Sequence, residues 1–302
     1  MNTNPYLLGL YEKSMPNSLC LSEKLKATGE SGYDYMELSI DETDEKLSRL
    51  DWSREEISLL QNAIMETGVP VKSICLSGHR RFPLGDPDPA VRQKSLDIMK
   101  RAIELASCLG IRIIQLAGYD VYYRNSNNET KLFFTENLLK SVSMAAREGI
   151  ILAFETMETP FIDTTEKAIY WISQISSPYL QIYPDTGNLT NASLIYGTAV
   201  KDDLEKGAGH IVALHLKESK PGVYREICYG QGHVNFSEAI QAAWQLGVRL
   251  YVAEFWHIAE GASSNGNLWR DTLKENNRFL RNFFEKTVFK LHEPLNINTR
   301  SG

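Results

Sequence analysis

The chain has 302 residues, of which 43% are hydrophobic and 23% are charged, and its formal net charge is −6 at pH 7. These values are typical of a globular protein, and they exclude a disordered chain and a collagen-like repeat. The acidic balance disfavours nucleic acid as the main partner, because phosphate backbones are bound by clustered Lys and Arg side chains.

The four cysteines are scattered along the chain without a CxxC pair. This spacing favours free thiols in a reducing compartment. The N-terminal segment lacks the basic and apolar regions of a secretory signal, and no run approaches the ~20 apolar residues that span a bilayer. The sequence therefore predicts a cytoplasmic protein without a membrane partner.

Eight short apolar runs alternate with longer segments of helical period. In chain order, the predicted strands are residues 7–11, 33–39, 71–76, 111–116, 150–155, 180–184, 211–217 and 250–255. Short strands that alternate with longer helices predict a parallel sheet covered by helices, an α/β fold.

The chain shows no shift in composition and no linker that would divide it. Its eight strand–helix units predict a single (β/α)8 TIM barrel over residues 1–287, followed by a loosely ordered tail at 288–302. The alternative is an open doubly wound sheet, which normally carries a glycine-rich phosphate loop after its first strand. Residues 9–14 read GLYEKS at that position, so no nucleotide cofactor is predicted.

Four ionisable residues lie at or near the C-terminal ends of the last four predicted strands, where a TIM barrel places its catalytic groups. They are Glu155, Asp185, His215 and Glu254. A single charge at a strand end is usually only the first solvated position, but these side chains would meet at one mouth. Three carboxylates and one imidazole suit a divalent cation such as Mn²⁺, Mg²⁺, Co²⁺ or Zn²⁺. The pattern therefore predicts a metal site.

The alternation of side chains along a strand distinguishes the two histidines of the seventh strand. His215 shares its face with Ala213 and Lys217, whereas His210 has the opposite parity and lies near the start of the strand. We therefore predict that His215 is the ligand and that His210 has a structural role.

The same alternation predicts other residues that face the barrel interior. Ala153 shares its face with Glu155, and Val252 shares its face with Glu254. Glu37, in the second strand, is a weaker candidate for a residue that reaches the mouth.

A pair of metal-bound carboxylates on opposite walls of the mouth can remove a proton from one face of a carbon and return one to the other face. A divalent cation would stabilise the enediolate that forms between the two steps. This chemistry is epimerisation next to a carbonyl group. A glycosidase that uses Glu155 and Glu254 is a competing interpretation, but it leaves Asp185 and His215 without a role.

Several longer segments resemble the L-ribulose-5-phosphate 3-epimerases, a group within the xylose isomerase-like TIM barrels. The segments are residues 41–56, 75–85, 114–123, 183–189, 209–226 and 229–236. The resemblance implies a metal-dependent isomerase that interconverts L-ribulose 5-phosphate and L-xylulose 5-phosphate in L-ascorbate degradation. The wider superfamily also contains sugar isomerases and endonuclease IV.

The resemblance also implies roles for the predicted ligands. One divalent cation would be held by all four side chains, with C3 of the ketopentose between Glu155 and Glu254. One glutamate would abstract the C3 proton, and the other would deliver a proton from the opposite face. Because barrels of this family often pair, a homodimer is expected.

A substrate phosphate needs a positive or N–H-rich pocket, because a dianion is costly to bury without partners. The candidate substrate and phosphate contacts are His79, Arg80, Arg81, Lys217, Lys220, Gly222, Tyr119 and Glu37. The run at 79–81 directly follows the third strand and is the leading candidate. Two departures from the family flank the ligands: an additional acid at Glu158, and Phe255 before Trp256.

Three alternatives to this function stay open. A hexulose-6-phosphate isomerase could use the same metal and acids, but it would move the carbonyl from C2 to C1. An endonuclease IV-like repair enzyme would need more metal ligands and a basic DNA face, which six histidines and a net charge of −6 do not favour. A non-catalytic sugar-phosphate binding protein would leave two acidic ligands without a reaction.

Overall fold

The computed structural model describes residues 5–257 and 268–290, and these ranges contain eight strands and ten α-helices. The strands are β1 (Leu7–Tyr11), β2 (Tyr35–Ile40), β3 (Val71–Leu76), β4 (Ile113–Ala117), β5 (Ile151–Glu155), β6 (Leu180–Ile182), β7 (Leu214–Leu216) and β8 (Leu250–Ala253). The α-helices are α1 (Leu21–Glu30), α2 (Asp44–Leu47), α3 (Arg54–Thr67), α4 (Pro89–Leu109), α5 (Asn128–Glu148), α6 (Thr165–Ile175), α7 (Thr186–Tyr196), α8 (Val200–Lys206), α9 (Phe236–Gln245) and α10 (Leu268–Lys290). Each strand is followed by one or two α-helices.

The strands form one parallel sheet in the order β6-β5-β4-β3-β2-β1-β8-β7. The two ends of this order meet, because parallel bridges join Ile182 to Ile211 and Asp185 to His215. The sheet is therefore closed, and the prediction of a (β/α)8 TIM barrel is confirmed. An open doubly wound sheet would leave two free edges and is excluded.

The predicted strands differ from the structure mainly at their ends. β1 and β3 have the predicted bounds, whereas β6 and β7 have three residues each and are shorter than predicted. β6 stops before Pro184, which has no N–H to donate to a neighbouring strand. The next residue, Asp185, already caps α7, since its carboxylate accepts a hydrogen bond from Asn188 N.

Buried apolar side chains form two layers, one between the strands and the helices and one inside the barrel. The inner layer consists of Tyr11, Tyr35, Cys75, Ile113, Ala153, Tyr183, Ala213 and Val252. It includes the small residues that the alternation predicted to face inward. Four of its members come two residues before a predicted metal ligand, so this layer is the floor of the mouth.

The last helix, α10, runs to Lys290, so the tail predicted at 288–302 begins inside it. Residues 291–302 lie outside the described residues. In the ranges that the structure covers, no helix combines the length and the apolar character needed to cross a membrane.

A buried ion cluster lies directly after β1. Glu12 is fully buried, and its carboxylate oxygens lie 2.9 Å from Lys24 Nζ, 2.7 Å from Lys46 Nζ and 2.6 Å from Arg49 Nη1. Ser39 N also donates a hydrogen bond to Glu12 Oε2. Burial alone would raise the pKa of Glu12, but the three cations hold it well below its usual range. The cluster thereby ties α1, α2 and β2 to the end of β1.

We expect Glu12→Gln to lower the free energy of unfolding by about 3–5 kcal/mol, because three buried cations lose their carboxylate. Urea unfolding at pH 7 measures this change. Since the pKa of Glu12 is depressed, its contribution is present at neutral pH and is lost as the pH falls below the ordinary pKa of Glu. Glu30→Gln is the control, because the ion pairs of Glu30 are solvent-exposed and should contribute less than about 1 kcal/mol. Equal losses in both variants would contradict the role of the buried cluster.

Candidate metal centre and active site

The four predicted metal ligands converge at the C-terminal mouth of the barrel. Glu155 ends β5, Asp185 caps α7 directly after β6, His215 is the central residue of β7, and Glu254 follows β8. All four are buried, and one ligand atom of each lies within 4.8 Å of the others. Closure of the barrel thus brings together side chains from four strands.

Three of the ligand atoms are buried and make no hydrogen bond to a residue outside the centre within the described ranges. They are Asp185 Oδ2, His215 Nδ1 and Glu254 Oε2. His215 Nδ1 lies 2.7 Å from Glu254 Oε2 and 3.6 Å from Glu155 Oε1. Buried polar atoms without hydrogen bonds are costly, and such a group calls for an explanation. A set of three carboxylates and one imidazole fits a divalent cation, which would coordinate these atoms.

Asp185 and His215 are each anchored by the protein through their other polar atom. Asp185 Oδ1 accepts a hydrogen bond from Asn188 N at 2.6 Å and lies 3.0 Å from Lys217 Nζ. His215 Nε2 lies 2.7 Å from Glu37 Oε1. In a neutral imidazole, a proton on Nε2 toward Glu37 leaves the lone pair of Nδ1 facing the other ligands. The protein therefore directs the unpartnered atoms toward one point.

Glu37, predicted as a weaker substrate contact, lies behind His215. Its Oε2 accepts hydrogen bonds from Ser73 Oγ at 2.6 Å and from Tyr183 OH at 3.0 Å, while its Oε1 faces His215. The residue is fully buried. Both of its oxygens contact protein groups, so Glu37 meets the centre through the imidazole. A carboxylate in this place orients a metal-binding histidine and raises its basicity.

The concentration of acidic groups shifts the pKa values of the centre. Burial raises the pKa of Asp185 well above its usual value despite the nearby Lys217. Burial opposes the charge on His215, but Glu37 and Glu254 raise the pKa of this imidazole well above its usual value. Burial also opposes the charge on Glu254, yet Lys217 and His215 hold the pKa of that carboxyl well below its usual range. The buried carboxylates thus carry more negative charge than the neighbouring cations offset. A divalent cation would supply the additional positive charge.

Lys217, predicted as a phosphate contact, lies beside the metal ligands and is 4% exposed. Its Nζ is 3.0 Å from Asp185 Oδ1 and 5.9 Å from the centroid of the Trp256 ring. Burial alone would lower the pKa of Lys217, but Asp185 and Glu254 raise it above its usual value. The ammonium group is therefore a fixed positive charge at the edge of the centre.

The residues of the 79–81 run point in different directions. His79 is buried, and its Nε2 lies 3.1 Å from Ser95 O in α4. Burial lowers the pKa of His79 to about 4, so this imidazole is neutral at pH 7. Arg81 is exposed, and its Nη1 lies 2.7 Å from Asp44 Oδ1. Of these three residues, Arg80 is therefore the best candidate for a contact with the substrate phosphate.

Arg80 keeps unused donor capacity at the mouth. Its Nη1 lies 3.6 Å from Glu42 Oε1, and its guanidinium carbon is 4.7 Å from the centroid of the Tyr122 ring. Its Nε is buried without a hydrogen-bond partner in the described ranges. Tyr119 is 2% exposed, and its hydroxyl also lacks a partner there. Both groups can bind oxygen atoms of a ligand.

The loop between β7 and α9 carries the other predicted phosphate contacts. Lys220 and Val223 exchange two backbone hydrogen bonds, of 3.0 and 2.8 Å. Gly222 has a φ of +71°, a left-handed backbone that suits glycine, and its N–H donates to Asn191 Oδ1 at 2.8 Å. Lys220, the first residue of this turn, is exposed. The glycine thus shapes the turn that presents Lys220.

One contact between the loops at the mouth was not predicted from the sequence. Glu158 Oε1 accepts hydrogen bonds from Tyr122 OH at 2.8 Å and from Arg225 Nη2 at 2.7 Å. Arg225 in turn lies 6.0 Å from the centroid of the Trp256 ring. These contacts link the loops after β4, β5, β7 and β8. The signal in the sequence was the additional acid Glu158, but its partners lie on other loops.

A second residue that the sequence interpretation missed is Gln115, in the middle of β4. Its Nε2 donates a hydrogen bond to Glu155 Oε2. The signal was a polar residue inside the apolar run IIQLA, at a position whose parity faces the barrel interior.

Comparison with known proteins places the chain in a family. The model of the xylose isomerase-like TIM barrels matches residues 25–283. The chain belongs to this family. The L-ribulose-5-phosphate 3-epimerase UlaE of Shigella boydii serotype 18 (strain CDC 3083-94 / BS512) is 48% identical over 269 residues, which cover 88% of this chain and 93% of that protein. The protein of the same name from Escherichia coli (strain SE11) is 46% identical with the same coverage.

A solved structure of a D-tagatose 3-epimerase-like protein has the same fold as this member of the family. Its TM-score is 0.77 with 18% identity, and the match covers 94% of this chain and 99% of that one. At this identity the likeness shows the fold alone. The relatives close in sequence confirm the predicted resemblance to the L-ribulose-5-phosphate 3-epimerases, and this family member is an enzyme of the isomerase class.

Proposed function

We propose that the protein is a divalent-metal-dependent 3-epimerase that interconverts L-ribulose 5-phosphate and L-xylulose 5-phosphate. The observation that carries this proposal is the convergence of four buried candidate ligands at the mouth of the barrel, three of them with an atom that no residue outside the centre hydrogen-bonds. The choice of substrate is supported by the names of the relatives at 46% and 48% identity.

The cation would be held by Glu155, Asp185, His215 and Glu254. When bound, it supplies positive charge that offsets the negative charge developing on the substrate oxygens at C2 and C3. Lys217 contributes a further positive charge next to Asp185, at 3.0 Å. Glu37 keeps the His215 ring in the orientation in which Nδ1 faces the other ligands.

The proton transfers would be carried out by the two glutamates. Glu155 and Glu254 approach from β5 and β8, with β6 and β7 between them in the barrel. With C3 of the ketopentose between them, one glutamate would take the C3 proton as a carboxylate and the other, in its protonated form, would deliver a proton to the opposite face, which inverts C3. Both side chains are largely buried, at 7% and 6% exposure, and this limits the access of water to the intermediate.

We expect Arg80→Gln to raise KM for L-ribulose 5-phosphate by about 10- to 100-fold, because a charge-assisted hydrogen bond to the phosphate is lost. Steady-state kinetics measure this change. Unphosphorylated L-ribulose is the matched control substrate, and its KM should stay the same in the variant. An equal rise in KM for both substrates would show that Arg80 does not bind the phosphate. The exposed Lys220 would then be the next candidate for the phosphate contact.

The function is tested by proton–deuterium exchange at C3 of L-ribulose 5-phosphate in heavy water. The protein is first treated with a chelator and is then assayed with and without Mn²⁺. Metal-dependent exchange that accompanies formation of L-xylulose 5-phosphate supports the proposal. Without exchange in Mn²⁺, Mg²⁺, Co²⁺ or Zn²⁺, the proposed substrate and reaction are wrong.

Product analysis separates the epimerase from an isomerase of a related hexulose 6-phosphate, which could use the same ligands. An epimerase inverts C3 and leaves the carbonyl at C2. An isomerase moves the carbonyl from C2 to C1 and exchanges a different proton. The position of deuterium in the product therefore identifies the reaction.

A further inference from the structure

Gln115 is a fully buried polar residue inside the barrel. It is the central residue of β4, and it pairs in register with Cys75 of β3 and Ala153 of β5, which both belong to the inner apolar layer. Glu155 comes two residues after Ala153 on the same face of β5. The side chain of Gln115 therefore meets the Glu155 carboxylate from below, on the side of the barrel interior.

Of the two polar side-chain atoms of Gln115, the nitrogen has a hydrogen-bond partner and the oxygen has none among the described residues. Its Nε2 donates a hydrogen bond to Glu155 Oε2. The other oxygen of that carboxylate, Oε1, faces His215 Nδ1 at 3.6 Å. Gln115 Oε1 is buried without a hydrogen-bond partner among the residues described. The amide thus holds one oxygen of Glu155 and leaves the other directed toward the metal ligands.

Stability does not explain a glutamine at this position. A buried amide gives up its hydrogen bonds to water, and an oxygen without a partner makes this loss uncompensated. An apolar side chain of similar volume would avoid the cost, as Ile113 does on the same face of β4. A residue that is unfavourable for stability is typical of a position selected for function.

We propose that Gln115 is a positioning residue that fixes the direction of Glu155, an inference that rests on the proposed epimerase function. Asp185 is held by the charged Lys217, and His215 is held by the charged Glu37. Glu155 is held instead by a neutral donor. A neutral amide sets the direction of this carboxylate through the geometry of one hydrogen bond and adds no charge to the centre.

The first test is Gln115→Leu, which removes the donor and keeps an apolar side chain of similar volume. We expect kcat to fall by about 100-fold, because a misplacement on the order of 1 Å costs roughly this factor. KM should change little, and Tm should be equal to or above that of the wild type. Ile113→Val, on the same strand and face, is the matched control and should keep the wild-type kcat. A loss of kcat that parallels a fall in Tm would overturn the inference.

The second test is chemical rescue of Gln115→Ala. Acetamide can enter the space left by the side chain and supply the missing N–H donor, whereas acetone has a similar size and no N–H. We expect acetamide to raise kcat of this variant several-fold and acetone to have no effect. Equal rescue by the two molecules would assign Gln115 a space-filling role and overturn the inference.

A measurement that does not depend on activity separates this inference from the proposed function. Isothermal titration with Mn²⁺ should show about 10-fold weaker binding to Gln115→Leu than to the wild type, since groups that orient metal ligands have effects of this size. Ile113→Val should bind Mn²⁺ as the wild type does. If the wild type fails to exchange C3, the proposed function fails, and Mn²⁺ affinity alone decides the role of Gln115. Unchanged affinity in Gln115→Leu would then overturn it.

Discussion

Glu155→Gln and Glu254→Gln are each expected to lower kcat for epimerisation of L-ribulose 5-phosphate by about 10²- to 10⁴-fold, the range typical of a lost acid or base. An amide has nearly the same shape as a carboxylate but cannot take up the C3 proton. Each substitution also replaces a charged candidate metal ligand by a neutral one. The measurement is kcat with Mn²⁺ held at saturation, so that weaker metal binding does not contribute to the loss.

The two variants should differ in the proton exchange that they retain. In the proposed mechanism, the remaining glutamate of each variant still faces one side of C3 and can remove and return a proton on that side. We therefore expect each variant to exchange C3 with solvent in one epimer, without converting it into the other. L-ribulose 5-phosphate should be the substrate for exchange in one variant and L-xylulose 5-phosphate in the other.

The control for this pair is Glu166→Gln, since Glu166 lies on α6 and forms an exposed ion pair with Lys206. Its kcat should equal that of the wild type. Exchange at C3 of both epimers in both variants would contradict a mechanism with one glutamate on each face.

Removal of the metal is expected to abolish epimerisation and to lower Tm, and the addition of Mn²⁺ should reverse both effects. A ligand at 100 times its Kd stabilises the folded state by about 2.7 kcal/mol, which corresponds to a rise in Tm of several degrees. Thermal unfolding with and without Mn²⁺ measures the shift. A metal-dependent mechanism would be refuted by full activity after exhaustive chelation, together with a Tm that does not change when any of the four candidate cations is added.

Asp185→Asn is the matched variant for the metal experiment. Burial raises the pKa of Asp185 well above its usual value, so the charged carboxylate is unfavourable without a cation. Replacing it by an amide relieves this cost but also takes a carboxylate from the buried Lys217, so the Tm of each chelated protein serves as its own reference. The same variant should lose most of the rise in Tm on addition of Mn²⁺, because one ligand is neutral.

The convergence of the four candidate metal ligands at one mouth could be predicted from the sequence because strand geometry determines it. Alternation along a strand selected His215 over His210, and the structure places His210 Nδ1 3.0 Å from Gln181 Oε1. Glu155 and Glu254 were found because they end or follow apolar strands in a fold whose strand ends meet at one mouth. The local sequence pattern is sufficient to predict a site residue where the direction of its side chain follows from its position in a strand.

The directions of side chains in the loops could not be predicted in this way. His79, Arg80 and Arg81 are adjacent in sequence, but one is buried under α4, one lies over Tyr122 and one pairs with Asp44. These directions depend on helices and loops that the sequence pattern does not place in space. The partners of Glu37 could not be predicted either, because its hydrogen bond with His215 joins residues on strands that are far apart in the chain.

The closure of the barrel between β6 and β7 has a consequence for its mechanical behaviour. Both strands have three residues, and isolated bridges join them instead of a continuous ladder. Local opening costs least where backbone hydrogen bonds are few, so the wall of the barrel should part here first. One of the two bridges pairs Asp185 with His215, which are both candidate metal ligands. A cation bound by both residues would link β6 to β7. Metal binding would therefore also raise the free energy needed to separate these two strands.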